Sequence, residues 1–89
     1  MNYHFYLIIF NNIGNFSPYL KVINKYDFRQ AGQNSFIIYA DKEIIHIFND
    51  LNIGRESSVI IVQMENWYGR LKEDILTWMK SKDTDVSIE

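Results

Sequence analysis

The sequence predicts one α+β domain: a four-stranded antiparallel sheet, two helices on one face, and a further helix closing the chain. Three observations carry this. Apolar runs rich in β-branched and aromatic residues recur at "FYLIIF", "FIIY" and "VIIV", which is strand composition. Between and after them, apolar residues recur at three- and four-residue steps, the spacing of amphipathic helices. The cluster Ala31-Gly32-Gln33-Asn34 carries turn residues between two extended arms.

Strand one is read over residues 3–10. Its nearly continuous apolar content suits a central strand or one covered on both faces. A turn follows over 11–15. The stretch "SPYLKVINKY" then starts a helix, with Ser17 as N-cap and Pro18 at the first helical position. Leu20, Ile23 and Tyr26 form its inward stripe, and Lys21 and Lys25, one turn apart, face solvent. A hairpin pairs a short arm, Asp27–Gln30, with a strong strand, Ser35–Ala40; the alternative continues the helix through the short arm.

Asp41 is expected to cap a second helix over 42–51, with Ile44, Ile47, Phe48 and Leu51 on one face and Gly54 in the turn after it. The last strand is read over 57–65, a turn over 66–69, and a closing helix over 70–81. Leu71, Ile75, Trp78 and Met79 share one side of that helix. The order β-α-β-β-α-β is the ferredoxin-like split pattern, here with an added C-terminal helix. Strands apolar on both faces require a cover for the open side of the sheet. The closing helix and a second copy of the chain are both candidates.

The chain has 89 residues, enough for a single domain over 1–80, followed by a loose, acidic tail over 81–89. With 47% hydrophobic residues it can bury a core, but a domain this small keeps much surface exposed, and such domains often gain stability by pairing. It contains no cysteine, which excludes disulfides, thiol nucleophiles and thiolate metal sites. Net charge is −2, so general attraction to phosphate is absent and only a local basic patch would supply it. The longest apolar run, residues 5–10, is far short of the roughly 20 that span a bilayer. No basic segment precedes it as in a signal peptide. A cytoplasmic protein without a membrane partner is expected.

The segments "FRQAGQNSFIIYADKEIIHIFNDL" and "SSVIIVQMENWYGRLKEDILTWM" resemble the small bacterial proteins of the SinR family (not the helix-turn-helix repressor of that name). These are similar to the small dimeric subunit of the CRISPR spacer-integration complex and to VapD-like toxins. Residues 36–41, 59–62, Trp67-Tyr68-Gly69 and Trp78 occupy the places of that family's hairpin, strand, turn and helix. The likeness spans roughly residues 3–80 and rests on hydrophobic and turn residues. It implies a homodimer in prokaryotic or phage defence, counter-defence or a toxin–antitoxin pair, with a protein or nucleic-acid partner. In nuclease-active relatives, strand one ends in an aromatic and an aspartate, and two such aspartates hold a divalent metal near the dimer axis. The matching pair here is Phe10-Asn11. An amide oxygen is a neutral, weak ligand for a cation that wants carboxylates. The resemblance therefore implies a vestigial site at Asn11 and Asn12, with no metal, no cofactor and no catalytic residue. Read without it, both asparagines are ordinary turn residues.

Other candidates carry plainer readings beside sharper ones. His4 begins strand one, a candidate position at a sheet edge, and His46 sits on helix two; neither has a partner constellation for general-base work. Lys21, Lys25 and Arg29 are candidates for nucleic-acid contact, with Arg29 beside Phe28, against the ordinary reading of a solvated face. Trp67 and Tyr68 are candidates for a partner interface, against a place in the core. The rival enzymatic reading, a metal-dependent endonuclease, would have to use Asp27, Asp41 or Glu65 in place of Asn11. A third reading is a nucleic-acid-binding module without cleavage.

Overall fold

A computed structural model of the chain describes residues 3–11, 17–55, 57–65 and 69–82. The elements in order are β1 (His4–Asn11), α1 (Ser17–Ile23), β2 (Asp27–Gln30), β3 (Ser35–Ala40), α2 (Ile44–Leu51), β4 (Ser58–Gln63) and α3 (Glu73–Lys82). This is an α+β fold. Its four strands form one antiparallel sheet in the order β2-β3-β1-β4. β1 is therefore central, and His4 opens a central strand rather than an edge.

Strand periodicity sends alternate residues to opposite faces. From β1, Tyr6, Ile8 and Phe10 join Phe36, Ile38 and Ala40 of β3 under α1 and α2, where Ile23, Ile47 and Leu51 close the first core. Tyr19 stacks on Phe10 with ring centroids 5.5 Å apart. The other face brings Phe5 and Ile37 against Ile75, Trp78 and Met79 of α3, a second, smaller core. Of the two covers weighed from the sequence, the closing helix is in place over β1 and β3. It does not cover β4, whose Ile60 and Val62 remain exposed. The run "VIIV" thus alternates, with Val59 and Ile61 packed against the first core and Ile60 and Val62 facing out.

Several boundaries and contacts differ from the sequence expectation. α1 opens at Ser17 itself and ends at Ile23; Lys25 and Tyr26 then donate to the carbonyls of Val22 and Ile23 in tighter turns. Asp41 does not cap α2. The Tyr6 hydroxyl donates to the Lys42 carbonyl at 2.6 Å, the approach to the helix stays extended, and Glu43 takes the N-cap position. The left-handed residue after α2 is Asn52, with φ 52°, not Gly54. On α2 only Ile47 and Leu51 are buried, while Ile44 and Phe48 stay exposed. α3 begins at Glu73 rather than at residue 70, which leaves Leu71 ahead of it, and it runs on through Lys82, which the sequence assigns to the tail. Ser81 Oγ donates to the Trp78 carbonyl at 2.6 Å, and Lys82 Nζ meets Asp27 at 2.7 Å. Glu73 and Asp74 in the first turn and Lys80 and Lys82 in the last complement the helix dipole.

Candidate functional site

Asn11 ends β1, exposed and opposite Ser58 of β4. Its amide and that hydroxyl are uncharged groups, so this pair supplies no anionic ligand. Asn12, Trp67 and Tyr68 lie outside the described residues. Among the described residues, no three His, Asp or Glu side chains are grouped to hold a metal ion. The three carboxylates of the rival enzymatic reading are dispersed. Asp41 is exposed before α2, and Glu65 accepts from Gln63 Nε2 at 2.8 Å. Asp27 lies at the start of β2. His4 Nδ1 lies 3.4 Å from Gln63 Nε2, and His46 is exposed on α2.

The basic candidates divide between layers. Lys21 and Lys25 belong to the α1 side, both exposed. Arg29 lies on the α3 face, where its guanidinium sits 5.0 Å from the centre of the Trp78 ring and 3.5 Å from Asp27. Its aromatic neighbour is thus Trp78; towards Phe28 it donates to the backbone carbonyl. Asp27 also accepts from the Trp78 indole at 3.0 Å. Burial raises the Asp27 pKa, but hydrogen bonds from Lys82 and Trp78 and the charges of Lys82 and Arg29 outweigh it. The net effect is a value below the usual carboxylate range.

A cleft of about 520 Å³ opens at this end of the sheet, lined by Tyr3, Lys25, Tyr26, Tyr39, Lys42 and Lys82 among others. Tyr3 and Tyr39 stack with centroids 5.0 Å apart. The cations of the cleft face internal anions. Lys82 pairs with Asp27, and Lys42 lies 3.7 Å from Asp50, which also accepts from the Tyr26 hydroxyl at 2.8 Å. Burial first, then the Asp50 hydrogen bond and charge, push the Tyr26 pKa up to about 12. The cleft is a network of aromatic rings and neutralised charges rather than a cationic groove.

The largest chemical anomaly is apolar. Among the described residues, the exposed large hydrophobic side chains are Tyr3, Ile9, Ile44, Ile45, Phe48, Ile60 and Val62. All except Tyr3 lie on β1, α2 or β4. Ile60, at 62% exposure, pairs with Ile9, and Val62 pairs with Leu7, so they form one patch on the face that α3 leaves open. On the other face, Asp50 marks the flank of α2 that meets Tyr26 at the end of α1. With 3.6 residues per turn, Ile44 and Phe48 fall on the opposite flank. α2 also packs on β4, so that flank faces the open β4 edge. The sequence reading expects the outer face of "VIIV" to need a cover, from the closing helix or a second copy, but places Ile44 and Phe48 on the inward face of helix two, and so misses the α2 part of this surface. The available signal was "EIIHIF", whose apolar residues exceed what one buried stripe accommodates.

Comparison of the chain with protein-family models, with curated proteins and with solved structures gives no match. No described helix is long and apolar enough to cross a membrane.

Proposed function

We propose that this chain is a non-catalytic binding protein of ferredoxin-like fold that works as a homodimer. The strand order β2-β3-β1-β4 supports that fold, because each β-α-β half leaves room for one strand of the other half between its own two. The likeness to the SinR family supports a setting in prokaryotic or phage defence, counter-defence or a toxin–antitoxin pair. In that setting the dimer would display its helices and loops to a protein or nucleic-acid partner. The observation that carries the reading is the apolar surface around β4. A folded domain rarely leaves apolar surface of this extent bare unless a partner covers it.

Static light scattering across the micromolar range tests the dimer: twice the chain mass is expected, and a monomer throughout removes it. Incubation with labelled RNA and DNA in Mg²⁺ or Mn²⁺ tests the absence of catalysis. No cleavage is expected; cleavage abolished by Asn11→Ala or Asp41→Ala overturns the reading.

A further inference from the structure

We infer that two copies of the chain join edge to edge through β4, antiparallel about a two-fold axis at Ile61, with their α2 helices meeting over the junction. This rests on the homodimer reading and names its contact surface.

The two edges of the sheet differ. β2 is four residues long and carries exposed Asp27 and Arg29, the usual protection of an edge. β4 is Ser-Val-Ile-Ile-Val-Gln, with no charge, proline or glycine. Among the described residues its one pairing is to β1, on one side. The Met64 N–H donates to the Phe5 carbonyl at 2.8 Å, which sets the phase of that ladder. Even-numbered residues of β4 bond to β1, and Val59, Ile61 and Gln63 turn their backbone N–H and C=O groups outward. Those groups are a template for one more strand.

The chemistry of the edge selects the occupant. A charged strand pairing with its own copy sets like charges near one another, whereas an uncharged strand meets no such penalty. Antiparallel symmetry requires that paired residues share a face. With Ile61 on the axis, Ile60 comes opposite Val62 of the partner subunit, and Val59 opposite Gln63 of the partner subunit. The 60–62 pairs are non-hydrogen-bonded, the closer kind, with Cα atoms about 4.5 Å apart. The same rotation brings Ile44 and Phe48 of α2 against their own copies on the helix face. One two-fold operation thus sets each apolar flank beside its own copy, as an isologous interface must: Ile44 and Phe48 meet theirs on the helix face, and Ile60 and Val62 gain a neighbouring strand on one side. The groups this junction shields are Ile44 and Phe48 of α2, the adjoining sides of Ile60 and Val62, and the outward backbone groups of β4.

The test uses the full chain and exploits its lack of cysteine. The doubly substituted Ile60→Cys, Val62→Cys chain is expected to form a covalent dimer under mild oxidation, because the two positions face each other within disulfide reach. Arg29→Cys, on the opposite edge, is the control expected to stay uncrosslinked. Ile60→Lys with Val62→Lys, and separately Phe48→Ser, are each expected to weaken dimerisation at least tenfold by light scattering with circular dichroism unchanged. A native dimer that resists these changes and leaves the cysteine pair unlinked overturns the β4 junction while sparing the homodimer. A native monomer at every concentration overturns both and leaves the edge to a strand from a different protein. If the lysine variant fails to fold, cross-linking and Phe48→Ser decide alone.

Discussion

The Trp78 indole N–H donates to the Asp27 carboxylate at 3.0 Å, tying α3 to the first residue of β2. The same carboxylate meets Lys82 at 2.7 Å and Arg29 at 3.5 Å, so one half-exposed side chain fastens the last helix to the sheet. Its lowered pKa means that the folded state favours the ionised form. The resulting stability is present above the ordinary value of 3.8 and is lost as pH falls through the lower folded value. Asp27→Ala is expected to cost about 1 kcal/mol at neutral pH, the worth of a charged hydrogen bond discounted for exposure. Asp27→Asn keeps an acceptor for Trp78 and should flatten the acid dependence. Urea unfolding at neutral and acid pH separates the two.

Tyr26 gives the opposite sign. Its hydroxyl loses a proton near 10.0 when unfolded and near 12 when folded. The stability from this group is complete below pH 10.0 and is lost as pH rises through about 12. Tyr26→Phe should remove that alkaline loss, and a tyrosine ionising at about pH 12 should vanish from the absorbance titration.

Met79 is fully buried between α3 and the sheet. Met79→Ala is expected to cost about 2–5 kcal/mol, a large share of what a domain this size possesses. Thr77→Ala, exposed on the same helix, should be near neutral or slightly stabilising because alanine is the better helix former. Thermal melting of the two variants checks the contrast.

After α2, the left-handed turn falls on Asn52, and Gly54 has no positive φ and open space where a Cβ would stand. Gly54→Ala should therefore stabilise by about 0.4–1 kcal/mol through the unfolded chain. Asn52→Ala should cost about 1 kcal/mol, since asparagine tolerates that conformation and alanine does not. The opposite ranking would be expected had Gly54 formed the turn.

These positions also separate what the sequence revealed from what it hid. The hairpin strands, Asp27–Gln30 and Ser35–Ala40, were legible to the residue, because turn chemistry and an alternating or continuous apolar run are local signals. The stripe of α3 was legible for the same reason. The start of α2 was not, because the Tyr6–Lys42 hydrogen bond that keeps its approach extended spans 36 residues. The exposure of Ile60 and Val62 was hidden for a related reason. Periodicity tells which residues share a face, not whether anything lies on that face. Lys82 looked like tail until Asp27 was seen beneath it. The end of β1 was read by chemical type alone; the structure adds that Asn11 faces Ser58, two uncharged neighbours across the ladder.

The unlike margins of the sheet limit how far it can be prolonged. A strand can be appended beside Ser58–Gln63, whereas the Asp27–Gln30 side meets any newcomer with a carboxylate and a guanidinium. In the proposed dimer, growth by this route would halt after one step, with the β2 edge and its Asp27 and Arg29 left at each extremity. A pair joined as proposed would leave no uncharged edge strand to seed cross-β stacking into fibrils.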